Sequence, residues 1–220
     1  MAYLLQLETA TKNCSVAVSR DGQTIALREV AEQGFSHAEK LHLFIEQAML
    51  DAQITYADLS AVAVSQGPGS YTGLRIGVSA AKGLCFALGI PLVAIDTLAV
   101  LAAQVTVSDG LIIPMIDARR MEVYSAVFDA NRNAVRGVQA EILTAESYAD
   151  TNAKMYIVGD CQQKCKTVLT DDRFVFLEDV VFPSANAMGA LAHAKFLAQD
   201  FVDVAYFEPY YLKDFLVGGK

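Results

Sequence analysis

The chain has 220 residues, 54% of them hydrophobic and 19% charged. That is enough apolar material to bury a large core, and it excludes wholesale disorder. The formal net charge of −8 argues against strong nucleic-acid binding by this chain alone, because such affinity comes largely from neutralising phosphates. No apolar run approaches the ~20 residues that span a bilayer, and the start, MAYLLQLETATKN, lacks the basic-then-apolar order of a signal peptide. A cytoplasmic protein is expected.

YLLQLE reads as a first strand and CSVAVSR as a second, with Val16 and Val18 on one face. Asp21-Gly22 is a hairpin turn signal, since both positions tolerate positive φ, and TIALREV follows as a third strand. A helix is expected from Ser36 to about Asp51. Leu41, Phe44, Ile45, Ala48 and Met49 recur at helical spacing, and Ser36 with Glu39 makes a capping box. AVAVSQ is a fourth strand. GPGSYTGLRIG opens a helix that runs to about Leu88, IPLVAI is a fifth strand, and Thr97–Gln104 a short helix.

The second half repeats this order. LIIPMID, EVYSAVFDA and AVRGVQAEI are strands, AESYADT a short helix, MYIVGD a strand, CQQKCKTVL a helix, FVFLE a strand, and SANAMGALAHAKFLAQ a helix capped by Ser184. Both halves therefore read as βββαβα, an α/β architecture of mixed sheets flanked by helices. Two such lobes give the actin/sugar-kinase/Hsp70-like (ASKHA) fold. VTVSDG marks the division, with an N-terminal lobe over 1–108 and a C-terminal lobe over 109–220 whose terminal segment packs back on the first.

GPGSYTGLRIG has the strand–turn–helix character of an anion site, yet its spacing fits neither a Walker A loop, nor a dinucleotide fingerprint, nor a nucleophile elbow. The glycines with Pro68 form a tight turn, and Ser70 or Thr72 caps the helix. Along that helix Gly73, Gly77, Ala80, Ala81 and Leu84 fall on one face. Interior helix glycines cost about 1 kcal/mol each relative to alanine, so something approaches closely: another element of the same lobe, or a helix of a partner chain.

The two turns expected to hold phosphates in this architecture are LETATKNCS, with Glu8, Thr9 and Thr11, and IDARRMEVY, with Asp117, Arg119, Arg120 and Glu122. Neither contains glycine, so side chains would crowd a triphosphate. His37 and His42 are five apart on a helix and diverge, and both are expected at its surface. His193 stands alone in an alanine-rich helix. Cys161 and Cys165, four apart, share a helix face, but no second pair completes a tetrahedral zinc site. Cys14, Cys85, Cys161 and Cys165 read as reduced core cysteines, and neither a metal site nor a catalytic residue is expected.

GPGSYTGLRIG, AKGLCFALGIPLVAIDTLAVLA and MIDARRMEVYSAVF closely resemble the TsaB (YeaZ-like) family, and LETATKNCSVAV, SHAEKLHLFIEQAM and EPYYLKDF fit it too. The resemblance covers essentially the whole chain. It implies a non-catalytic subunit of the machinery that adds threonylcarbamoyl to the adenosine beside the anticodon, in tRNAs reading codons that begin with A. The transfer belongs to the paralogue TsaD, with the ATPase TsaE joining the pair; the family also forms homodimers, and tRNA is met only through the complex. The first-lobe helices would make the contact, through His37, Leu41, Gly73, Leu74, Ile76, Gly77, Ala80, Ala81 and Leu84. The paralogue's two metal-binding histidines correspond to Thr97 and Leu101 here. Glu8 stands where most relatives have aspartate, which leaves its cleft role open. No cofactor of its own is implied. A nucleotide site shared with a partner stays open, with Arg119 and Arg120 in reach of phosphate. The alternatives are an independent ATPase or kinase of the same fold, and a peptidase.

Overall fold

A computed structural model describes residues 1–31 and 37–212. Strands β1 (Tyr3–Glu8), β2 (Asn13–Arg20) and β3 (Gln23–Ala31) form an antiparallel meander. Helix α1 (His37–Asp51) and a short 3₁₀ turn (Tyr56–Asp58) lead to β4 (Leu59–Gly67), which lies parallel to β1. Helix α2 (Tyr71–Leu88) and β5 (Leu92–Asp96) complete a five-stranded sheet in the order β3-β2-β1-β4-β5. Ser36, half of the expected capping box, lies outside the described residues.

After α3 (Thr97–Ala103), strands β6 (Leu111–Asp117), β7 (Glu122–Asp129), β8 (Ala134–Ile142), β9 (Met155–Val158) and β10 (Phe174–Phe176) build a second sheet, β10-β9-β6-β7-β8. Read from the other edge, that order reproduces the first. The duplication expected from the residues is thus present in the topology, and both sheets are mixed, as the ASKHA class requires. One copy of the repeat is reduced. AESYADT forms consecutive turns rather than a helix, with Tyr148 at φ 62°. Tyr148 instead places its hydroxyl on Glu141 (2.7 Å), where Arg136 also bonds (2.6 Å), and this polar anchor takes the place of an apolar helical stripe.

Each sheet is covered on two faces. In the first, Leu5, Leu7, Val16, Val18, Val62 and Val64 pack against Leu41, Ile45, Ala48 and Met49 of α1 and Val78, Ala81 and Cys85 of α2. The opposite face receives α5 (Ala185–Leu197), which contacts all five strands and buries Ala185, Met188 and Ala192. In the second sheet, Ile113, Met115 and Val123 pack with Cys161, Cys165 and Leu169, from the segment carrying the one-turn α4 (Gln162–Cys165). Its other face, with Ile112, Ile116 and Phe128, is covered by Leu98, Leu101 and Ala102 of α3.

The compact units are therefore Met1–Thr97 with Ser184–Lys220, and Leu98–Pro183. The division expected at 108/109 falls elsewhere, for a physical reason: the last helix of each repeat packs on the other repeat's sheet. The apolar stripe of α3 belongs to the second core, and α5 to the first. Ser184 caps α5 as expected, accepting from Asn186 N (3.2 Å), and its hydroxyl donates to Glu29 Oε2 (2.7 Å). The C-terminal segment joins the first unit. Val202 bridges Leu92, Lys82 Nζ donates to the carbonyls of Ala205 (3.1 Å) and Phe207 (2.9 Å), and Tyr210 N donates to Gln66 O (2.7 Å).

Gly159 tests the second unit. Its φ is 121°, and a Cβ there would run into the Met115 carbonyl on β6. Gly159→Ala is expected to lower unfolding free energy by about 2 kcal/mol or more, read by urea denaturation.

Candidate functional site: the α1–α2 face

Helix α2 begins where the residues suggested. Ser70, rather than Thr72, is the N-cap, and its Oγ accepts from Gly73 N (3.2 Å). Gly89, at φ 67°, ends the helix in a left-handed C-cap. The Gly67–Pro68 peptide is cis.

The β1–β2 turn sits directly on this helix. Ser70 N donates to Ala10 O (2.7 Å), and Thr9 Oγ1 donates to Gly73 O (2.8 Å). A Cβ on Gly69 would collide with Ala10 O, one on Gly73 with Thr9 O, and one on Gly77 with Thr9 Oγ1. The close approach that the glycines permit is therefore that of the chain's own first turn. Gly73, Leu74, Gly77 and Ala81 are buried inside the unit, as are His37 and Leu41 on α1. Those six expected contact residues are corrected accordingly: the stripe has the right period but faces inward. His37 is not at the helix surface either. Its Nε2–H donates to Thr11 O (2.8 Å), and burial lowers its pKa.

The outward face is rotated by about one residue. Ile76, Ala80 and Leu84 remain partly accessible and line an open groove of about 730 Å³ between α1 and α2. Its other walls come from Ala38 and His42 on α1 and Tyr71, Thr72, Arg75, Ser79 and Gly83 on α2. Gly83 is exposed in mid-helix, and a Cβ there would meet nothing within 4 Å among the described residues. Nothing in those residues explains its cost to the helix. Large apolar side chains stand out on the same helices, with Phe86 85% exposed and Leu50 76% exposed. At one end of the groove the Tyr211 ring packs on Tyr71 (4.8 Å between centroids), and Arg75 lies over Tyr71. Sequence reasoning missed Ala38, His42, Tyr71, Thr72, Arg75, Ser79 and Gly83; the third interior glycine of α2, off the Gly73–Gly77 stripe, was the signal that could have found them.

The expected phosphate-turn residues divide between the two units. In the first, Glu8 is fully buried; its Oε1 accepts from Ala10 N (2.7 Å) and its Oε2 from Ser65 Oγ. Burial pushes its carboxyl up to about 7. Thr9 and Thr11 are buried as well. Thr97 is buried and accepts from Gly67 N (3.2 Å), and Leu101 is buried in the second core. In the second unit, Asp117 Oδ1 accepts from Lys164 Nζ (2.5 Å) and from Arg119 N (2.8 Å). Lys164 also donates to Arg120 O (2.9 Å) and Glu122 O (2.7 Å), so the hairpin tip is tied by a lysine. Arg119 and Arg120 hold left-handed backbone, φ 73° and 52°, and their side chains are exposed. Among the described residues, no three His, Cys, Asp or Glu side chains group to hold a metal ion, and no helix is long and apolar enough to cross a membrane.

Residues 29–206 match the sequence profile of the family described as TsaD: tRNA N6-adenosine threonylcarbamoyltransferase. Across 96% of this chain and 94% of its relative, the chain is 28% identical to the Escherichia coli tRNA threonylcarbamoyladenosine biosynthesis protein TsaB. It is 30% identical to the protein of the same name from Buchnera aphidicola, over 74% of this chain and 80% of that one. A solved Pseudomonas aeruginosa structure, described as similar to peptidase YeaZ, superposes with a TM-score of 0.83 and 26% identity, over 97% of this chain and all of that one.

Two outcomes test the site. Gly77→Leu collides with Thr9 and is expected to unfold the first unit, whereas Gly83→Ala raises monomer stability by about 1 kcal/mol; circular dichroism on thermal melting reads both. For Glu8, the folded protein holds the proton more tightly than the unfolded chain, so stability falls as pH rises from 4.5 to about 7 and is level above. Glu8→Gln keeps both hydrogen bonds and removes that slope. Its stability relative to wild type is expected to improve by about 3 kcal/mol between acidic and mildly basic buffer, measured by urea unfolding across pH.

Proposed function

The chain belongs to the TsaD family in the breadth of its matching profile and, within it, to the TsaB (YeaZ-like) branch; from that membership we propose that it is a non-catalytic partner subunit in tRNA threonylcarbamoyladenosine biosynthesis. It pairs with a TsaD-like catalytic subunit, a TsaE-like ATPase joins them, and the chain self-associates when alone. It acts in the cytoplasm and meets tRNA through the complex, in keeping with its net charge of −8.

The observation that carries this reading is the outer α1–α2 face. It combines an open groove, a mid-helix glycine that no other described residue approaches, and exposed Leu43, Leu50 and Phe86. Two helices of a partner laid across it would bury that apolar surface, and small residues at the crossing allow close backbone approach. Ile76, Ala80, Gly83 and Leu84 are the contact residues, with Ala38 and His42 opposite.

The absence of catalysis is supported by residue identity. Thr97 and Leu101 stand where the resemblance puts the catalytic paralogue's histidines, and both are buried with their surroundings complete. Glu8 is sequestered by Ser65 and Ala10. The chain holds no cofactor of its own. A nucleotide binds only in a site that the partner completes, with Arg119 and Arg120 as its phosphate contacts.

Ala80→Arg and Gly83→Arg put a long charged side chain into the groove without entering the core. Each is expected to weaken pairing with the TsaD-like subunit by about 30-fold or more, the size of an interface hot spot, while the melting curve of the isolated chain is preserved. Sedimentation of the mixed proteins reads the pairing, and an unchanged complex would refute the placement. Depletion of the chain in cells should lower threonylcarbamoyladenosine in bulk tRNA nucleosides; unchanged levels would remove the pathway assignment.

A further inference from the structure

Cys161 and Cys165 are unexplained by the pairing face. Both are buried, free thiols in the core of the second unit. Cys161 is the N-cap of α4 and Cys165 its last residue, so both turn toward the sheet. Their Sγ atoms are 3.7 Å apart. A third sulfur reaches Cys165 from the sheet: Met115 Sδ, on β6, lies 3.6 Å from Cys165 Sγ.

A metal–sulfur bond of about 2.3 Å places two ligating sulfurs about 3.8–4.0 Å apart in tetrahedral or trigonal geometry. The Cys161–Cys165 and Cys165–Met115 separations differ from this by a few tenths of an ångström, and a rotation of the flexible Met115 side chain would bring its sulfur toward both thiols. All three donors are soft, two thiols and a thioether. Structural zinc takes four ligands, normally thiolate, imidazole or carboxylate, whereas a thioether beside thiolates selects a soft ion such as Cu(I). The two thiols also share a hydrogen bond. That bond, with help from the nearby Lys164 ammonium, lowers the pKa of Cys165, whereas the same bond and burial raise that of Cys161. By contrast, burial pushes isolated Cys14 and Cys85 up to about 11, and they stay protonated.

We infer that Met115, Cys161 and Cys165 form a binding site for one soft monovalent cation, copper(I), with silver(I) as its analogue. On binding, both S–H bonds are replaced by metal–thiolate bonds, the two protons leave to solvent, and the Met115 thioether donates a lone pair. No electron is transferred. The resulting site carries one net negative charge. α4 is a single turn of four residues, short enough to open locally and admit an ion handed over by a carrier thiol. A bound ion would fasten α4 to β6, the strand that leads into the hairpin tied by Lys164.

The test is an anaerobic titration of the reduced full-length chain with copper(I) buffered by bicinchoninate, repeated with silver(I). One equivalent should be taken up, with a near-ultraviolet thiolate-to-metal band and a raised melting temperature. Cys161→Ser and Cys165→Ser should abolish uptake. Even an outer-shell partner is worth about 10- to 100-fold in affinity, so Met115→Leu should cost at least that. Cys14→Ser and Cys85→Ser should bind like wild type. In the wild-type chain, silver should shield Cys161 and Cys165, and no other cysteine, from alkylation as read by peptide mass spectrometry; this arm stands even where a serine variant fails to fold. No stoichiometric uptake, uptake that survives both serine changes, or shielding that maps to Cys14 or Cys85 would each overturn the site.

Discussion

The seat of the β1–β2 turn on helix α2 is the contact on which the first unit depends. The Thr9 carbonyl and hydroxyl occupy the space where Gly73 and Gly77 would carry side chains, and Ala10 O takes the amide of the cap residue Ser70. Polar backbone groups that would otherwise be stranded at a turn and at a helix start satisfy one another. The same junction closes over Glu8, whose carboxyl oxygens accept from Ala10 N and Ser65 Oγ. Helix α2 is thereby fixed in angle on the sheet, and its remaining face is presented outward. A surface for partners follows from a tight internal fit on the reverse side of the same helix.

Much of this was legible in the residues. Short apolar runs, and alternation in CSVAVSR, marked the strands, Asp21-Gly22 marked the first hairpin, and the repeat of βββαβα reappears as one sheet order used twice. The small-residue stripe of α2 had a correct period but two possible occupants, and spacing within one helix carries no information about which side meets the sheet. That depended on Thr9, some sixty residues earlier in the chain. The exchange of α3 and α5 between repeats was hidden for a similar reason. An amphipathic helix announces that it has an apolar face, not which sheet will receive it. The turns at 145–150 read as a helix because their composition allows it; the Tyr148–Glu141–Arg136 cluster decides otherwise through hydrogen bonds that no local pattern encodes.

The two hairpins that are equivalent by duplication have diverged in how they are held. The first is buried and pinned by helix glycines, with a carboxyl kept near neutrality by its burial. The second is exposed, and Lys164 gathers Asp117 and two backbone carbonyls at its tip. Each turn's acidic residue is thus engaged by the protein itself. The arginines of the second hairpin are exposed to solvent.

The placement of α5 bears on the order in which the protein matures. The second unit is one contiguous stretch, Leu98–Pro183, whereas the first is interrupted by it and regains its final helix only from Ser184 onward. On a ribosome, the later-made unit can reach its native state while the earlier one still exposes the sheet face that Ala185, Met188 and Ala192 will cover. During that interval an apolar β-surface waits in the open, so the amino-terminal portion, although synthesised first, finishes last and is the portion that most needs chaperone protection.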